Sequence, residues 1–359
     1  LKILYSDGFK IHRYGKALGQ FTHYFEFYYQ SSIMIKKILL LFLITSCSFY
    51  AAAQRTKPVS VIFDTDMASD YDDVGAIALL HYYADIGKAN ILATIASSKY
   101  PRVAAVLSVF NTYFNRPDIP IGVPTGTTSE DPGWQHWSDT LVAKYPHKIK
   151  TNADAMDAVK LYRKILATQP DTSVTIITVG FFTNIADLMR SQADEYSPLT
   201  GEQLIEKKVA KLVSMAGRFP SGSEYNMNHV ASRTVYVFKH WTRPVIFSGY
   251  EIGAQVHTGI PLINNNKITN SPVKDVFRIS IPQAKEDANG RMSWDETAVL
   301  VGINGAAPYF NLHYGRVIVN ADASNSWIDG GNQAYLIFAR PAAEMETFIN
   351  NLMMHQPLK

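Results

Sequence analysis

From Pro58 onward, short apolar runs rich in β-branched residues alternate with stretches whose apolar residues recur at helical spacing. That alternation is what βαβ units demand, because crossover helices cover both faces of a parallel sheet and leave its strands apolar throughout. Strands are expected at Val59–Phe63, Ile91–Ala96, Ser173–Val179, Val209–Met215 and Val245–Phe247. Helices are expected at Val74–Ala84, Val103–Tyr113, Val159–Ala167 and Thr183–Arg190. No fixed-period repeat and no low-complexity linker follows residue 57. The expectation is therefore a single α/β domain over 54–359, an open, mainly parallel sheet flanked by helices. Thr125–His147 has Gly, Pro and polar residues without periodicity and reads as a long loop near the site.

The segment before that domain reads as a leader. Met34-Ile35-Lys36-Lys37 followed by the apolar run Ile38–Thr45 has the charged start and short apolar core of a secretory signal, here 34–53, and the run is too short to span a bilayer. Residues 1–33 read as disordered sequence upstream of the true start. Cleavage after Ala51-Ala52-Ala53 gives a periplasmic or secreted protein, whereas Ile44-Thr45-Ser46-Cys47 resembles a lipobox and gives a lipid anchor at Cys47. Cys47 is the sole cysteine, so the domain has neither a disulfide framework nor thiol chemistry. The formal charge of +3 with scattered Lys and Arg carries no nucleic-acid footprint and leaves a small-molecule substrate.

The chemistry concentrates where the first strand ends. Asp64, Asp66, Asp70, Asp72 and Asp73 crowd into ten residues between a buried-type strand and a helix. In open α/β sheets ligands bind beyond the carboxyl ends of the strands, so these acids stand where a site is expected. Packed that closely they repel one another unless a cation joins them. Oxygen donors without His or Cys suit Ca²⁺ or Mg²⁺, and Ca²⁺ better where several ligands come from protein. Helix capping by Asp72 and Asp73 accounts for two of the acids and not for five.

Asp64-Thr65-Asp66 followed by Asp72-Asp73 resembles the opening signature of the inosine–uridine-preferring nucleoside hydrolases, and three later segments fall in the order that family requires. Thr175–Ala186 (TIITVGFFTNIA) resembles its strand and turn, Val213–Asn226 (VSMAGRFPSGSEYN) the loop that ends in Glu-x-Asn, and Ser293–Ala298 (SWDETA) its last acidic element. The resemblance spans residues 58 to about 305. It implies calcium-dependent hydrolysis of the N-glycosidic bond of ribonucleosides or a related N-ribosyl compound, releasing ribose and free base. Asp66 would deprotonate the water and touch the metal, with Asp73, the Thr183 carbonyl and Asp295 completing the calcium shell. Asp72, Glu224 and Asn226 would hold ribose hydroxyls, Trp294 would face the base, and Asp64 and Asp70 would support the ligands. Dimers or tetramers are common among similar proteins, which implies a homo-oligomer.

The chain departs from the family pattern where Ala68 replaces a Gly, Ser98 a ribose-side Asn, Val230-Ala231-Ser232-Arg233-Thr234 an Asp-Pro-x-Ala-Ala run, and Trp294 a His before the last Asp. Indole cannot protonate a leaving base at neutral pH, so His136, Asp139 and His229 are the candidate acids. Two other functions fit parts of the pattern. One is an exported protein that binds calcium and a ribosyl group without turnover. The other is a haloacid-dehalogenase-type phosphatase with Asp64 as nucleophile and Asp66 as acid.

Overall fold

Strand β1 (Val59–Thr65) is buried from Val61 onward and alternates its side chains between two cores. Val61 and Phe63 enter one apolar layer and Ile62 enters the other, as the two-residue period of a strand covered on both faces requires. The computed structural model describes residues 36–37 and 57–358, Ser69 excepted, so residues 1–33, all of the signal segment but Lys36 and Lys37, and Cys47 lie outside the described residues.

The other strands are β2 (Ala89–Ala96), β3 (Ile121–Val123), β4 (Met156–Asp157), β5 (Val174–Thr178), β6 (Val209–Met215), β7 (Ser221–Gly222), β8 (Val245–Ser248), β9 (His257–Thr258), β10 (Arg291–Met292), β11 (Phe310–Val319), β12 (Asn325–Asp329) and β13 (Gln333–Phe338). Eleven of them form one sheet in the order β4-β3-β2-β1-β5-β6-β8-β13-β11-β12-β7, while β9 and β10 pair by themselves. From β4 to β13 every pairing is parallel, and from β13 to β7 every pairing is antiparallel. The chain steps outward from β1 to β4, then returns to place β5 on the opposite side of β1. That reversal opens a crevice at the carboxyl ends of β1 and β5.

Helices α1 (Asp72–Asp85), α2 (Val103–Tyr113), α3 (Trp137–Lys144), α4 (Ala158–Thr168), α5 (Thr183–Arg190), α6 (Gly201–Lys208), α7 (Ala231–His240), α8 (Pro272–Ser280), α9 (Trp294–Asn304) and α10 (Ala342–Met353) cover the sheet. Every residue of α1 from Asp72 to His81 is buried. It packs against α9 and α10 as well as β2, so its apolar residues surround it instead of forming a stripe.

The expected mainly parallel α/β architecture is the one observed. Several elements, among them β3, β4, β7 and helices α6, α7, α8 and α10, have no counterpart among the expected ones, and two larger segments differ. The stretch read as a continuous loop contains α3, anchored by the buried Trp137, whose indole N–H donates to the Asp70 carbonyl at 3.1 Å. The antiparallel flank of β11, β12 and β13 was not foreseen; its burial is patchy, so it lacks the continuous apolar runs that mark the parallel strands.

Candidate active site

A cavity of about 520 Å³ opens at the crevice, within the usual range for small-molecule sites. Asp66, Asp70, Asp72 and Asp73 line it from the β1–α1 connection, Glu224 and Asn226 from the segment after β7, and Trp294 and Asp295 from the start of α9. Residues more than 200 positions apart in sequence are thus gathered by the topology of the sheet. Gly180, just beyond β5, permits the convergence: a Cβ there would lie 2.4 Å from the Asp66 nitrogen and 2.3 Å from Ser97 Oγ.

Asp64 does not reach the cavity. It is fully buried, and its Oδ2 accepts from the Tyr162 hydroxyl at 2.7 Å and from Asn184 Nδ2 at 3.0 Å. Burial pushes its carboxyl up to about 7 against those two hydrogen bonds. A phosphatase nucleophile must meet its substrate, so this placement removes the dehalogenase-type alternative. Thr183 also lies outside the cavity lining, buried at the first turn of α5 with its hydroxyl directed to the Ser97 carbonyl at 3.5 Å. Ser98 is wholly buried and away from the lining.

The remaining acids form a strained electrostatic group. Asp72, Asp73 and Asp295 are each at most 4 % exposed. All three are pushed well above the ordinary carboxylate range, first by burial and then by a neighbouring charge: Asp70 on Asp72, Asp66 on Asp73, and Asp72 on Asp295. Arg291 supplies partial compensation, with Nη2 at 2.5 Å from Asp70 Oδ2 and 3.2 Å from Asp72 Oδ1. Burial is the largest influence on Asp70 and works upward, but Arg291 together with hydrogen bonds from Asp72 and the Tyr71 backbone holds that carboxyl below its usual value. Thr65 Oγ1 donates to Asp73 Oδ1, and the Asp295 N–H donates to Asp72 Oδ2 at 3.4 Å.

Among the described residues no three His, Cys, Asp or Glu side chains already close around one point as a metal cage. The donor set nevertheless fits a hard divalent cation. Asp66, Asp73 and Asp295 offer only oxygen to one cavity, and Asp73 and Asp295 have no ion-pair partner among the described residues. A bound dication is the counter-charge that such a group lacks.

Across the cavity Glu224 caps a short helical turn, accepting from the N–H groups of Gly217 (3.1 Å), Asn226 (2.8 Å) and Met227 (3.2 Å). Burial pushes Glu224 up to about 7 despite these donors. Asn226 Nδ2 donates to the carbonyls of Val179 and Met215 at 2.9 and 3.2 Å, so its side-chain oxygen remains for a ligand.

Trp294 lies against Tyr250 in a tilted ring pair, with centroids 5.4 Å apart, and its indole N–H is committed to the Tyr250 carbonyl at 2.8 Å. The three candidate leaving-group acids fare unequally. His136 and Asp139 lie outside the lining, and Asp139 is taken by Arg102 at 2.8 Å, at the start of α3 within the stretch expected as a long loop near the site. His229 stacks on Phe181 at 3.9 Å, behind the cavity-lining Tyr225, and burial lowers its pKa.

Sequence reasoning missed Arg291, Arg218, Tyr225 and Tyr250 in the lining. Only Arg218 and Tyr225 carried a signal, lying inside the segment that ends in Glu224 and Asn226.

A family model described as "Inosine-uridine preferring nucleoside hydrolase" matches residues 61–326. Among solved structures, a plant nucleoside hydrolase is similar over 83 % of this chain and 99 % of its own, with 16 % identity and a TM-score of 0.61. An inosine–uridine-preferring nucleoside hydrolase from Bacillus anthracis is similar over 82 % and 99 %, with 14 % identity and a TM-score of 0.63. The type III effector protein XopQ, complexed with adenosine diphosphate ribose, is similar over 83 % and 94 %, with 13 % identity and a TM-score of 0.64. No curated protein matches the chain. Identities this low speak for the fold alone.

Proposed function

The chain belongs to the inosine–uridine-preferring nucleoside hydrolase family, a family of N-glycosyl hydrolases, and from its cavity we propose calcium-dependent cleavage of the N-glycosidic bond of a ribonucleoside or related N-ribosyl compound. Ribose and free base are the products. The observation that carries this is the set of buried acids at the end of β1 and the start of α9, facing Glu224 and Asn226 across one cavity.

Asp66, Asp73, Asp295 and the Thr183 carbonyl would hold calcium, which when bound binds ribose hydroxyls and acidifies a water. Asp66 would accept the proton of the attacking water, and the surrounding carboxylates would stabilise positive charge developing on the sugar. Asp72, steadied by Arg291 and by the Asp295 N–H, accepts from a ribose hydroxyl. Glu224 and Asn226 take the hydroxyls on the opposite side of the sugar. Trp294 offers the departing base an aromatic face and no proton, since its N–H is already bonded. Substrates whose bases leave without protonation are therefore favoured.

The protein acts after export, directed by the 34–53 segment, as a secreted, periplasmic or Cys47-anchored hydrolase, and assembles as a homo-oligomer. The test is chromatographic detection of free base from a panel of ribonucleosides and other N-ribosides with calcium present. Turnover of at least one supports the assignment. Tight calcium binding with no base released from any would replace the hydrolase with a calcium- and ribosyl-binding protein.

A further inference from the structure

Two arginines line the cavity and are used in opposite ways. Arg291 is spent on Asp70 and Asp72, with Nη1 also 3.7 Å from Asp287. Arg218 is exposed, and among the described residues its guanidinium enters no ion pair and no hydrogen bond; it lies over the Tyr250 ring at 4.2 Å.

Its placement is nonetheless fixed. Asn325 grips the Arg218 backbone from both sides, its Oδ1 accepting from the Arg218 N–H at 3.0 Å and its Nδ2 donating to the Arg218 carbonyl at 2.8 Å. The next N–H, of Phe219, donates to Glu251 Oε2 at 3.0 Å. The aliphatic stem crosses Gly222, where a Cβ would come within 2.6 Å of Arg218 Cδ. With φ of +158°, Gly222 is the residue that leaves this passage open.

An arginine beside this many carboxylates would ordinarily collapse onto one of them. Arg218 lies close enough to Glu251 for its charge to offset part of that group's burial, yet the guanidinium rests on the tyrosine ring. With its central carbon held over the ring and its N–H donors unpaired among the described residues, the guanidinium keeps the fork of donors that captures an oxyanion in bidentate fashion. Ser223 and Glu224 also line the cavity, while Tyr250 leads through a tilted ring contact to Trp294.

We propose that Arg218 is an oxyanion-recognition residue and that the substrate is an N-ribosyl compound carrying a phosphate on its sugar or a carboxylate on its base. This rests on the riboside assignment above. The two sources follow from the two neighbourhoods of Arg218, Glu224 on the sugar side and the Tyr250–Trp294 ring pair on the base side.

The experiment is calorimetric binding to the full chain in calcium, comparing ribose 5-phosphate with ribose and nicotinate with nicotinamide, for wild type and Arg218→Gln. One oxyanion should bind about tenfold or more tighter than its neutral counterpart, and Arg218→Gln should erase that preference while keeping the wild-type melting temperature. Preference for ribose 5-phosphate assigns the sugar phosphate, and preference for nicotinate assigns the base carboxylate. Equal binding within both pairs, no binding by any of the four, or a preference that survives Arg218→Gln overturns the proposal. Base release from neutral ribosides, measured on the same preparation, reports separately on the hydrolase. Hydrolysis without oxyanion preference removes only the role of Arg218, whereas oxyanion preference without hydrolysis removes only the activity.

Discussion

Asp64 and Asp66 stand two residues apart on the same stretch of chain and meet opposite surroundings. Asp64 is locked beneath the site by Tyr162 and Asn184, whereas Asp66 faces the cavity. Substituting Asp66→Asn removes the water-activating base and should lower kcat by about 100-fold or more, with an unchanged circular dichroism spectrum as the control. Ala68 holds a left-handed φ of +86° while fully buried, a conformation that costs a residue bearing a Cβ roughly 1 kcal/mol or more. Ala68→Gly should therefore stabilise the protein by about 1 kcal/mol in urea denaturation; a loss of stability would show that the methyl's packing outweighs the strain. Arg291 sits among Asp70, Asp72 and Asp287, and replacing it with Met leaves buried charges uncompensated. In metal-free protein that change should cost about 3 kcal/mol by the same measurement. The acids were legible in the sequence because five of them beside an apolar strand have no ordinary packing explanation. Arg291 was not, because its partners Asp70 and Asp72 lie some 220 positions away and only the fold introduces them.

At the scale of elements, the site depends on how closely the ends of β1 and β5 approach. Gly180→Ala would press a methyl against the Asp66 backbone and Ser97. Overpacking of that kind costs roughly 1–3 kcal/mol, and because the displaced atoms belong to Asp66, calcium affinity should fall along with the melting temperature. A variant that melts earlier yet binds calcium as tightly as wild type would separate Gly180 from the site. Strands β1, β2, β5, β6 and β8 and helices α1, α2, α4 and α5 were readable because those strands carry apolar runs and those helices apolar periodicity, whereas β3, β4 and β7, of two or three residues each, were too short to leave a pattern. The β11–β13 flank escaped because its strands mix buried and exposed residues irregularly, as in β11, where Gly315 is buried between the exposed Tyr314 and Arg316. Helix α3 escaped because eight residues hold too few turns for a periodic signal, and its anchor Trp137 is fixed by a tertiary contact to Asp70.

For the molecule as a whole, the buried acids set a pH response. Burial raises Asp64 from 3.8 to about 7, Glu224 from 4.5 to about 7 and Glu296 from 4.5 to about 8. The folded protein therefore binds more protons than the unfolded chain across this window. Stability is complete below the unfolded values and is lost as pH rises through the folded ones. Melting temperature in chelator should fall between about pH 4 and pH 8, and saturating calcium should flatten that fall by supplying the missing positive charge. A chelated protein that grows steadily more stable over the same range would contradict the protonation states assigned to these carboxylates. The most direct test of the calcium-dependent hydrolase is release of reducing sugar from the riboside panel by chelated protein, titrated with calcium, for wild type and Asp66→Asn. Sugar release that rises with calcium to saturation in the wild type and is lost in Asp66→Asn is the predicted result. Release that ignores calcium, or persists undiminished in Asp66→Asn, would contradict it.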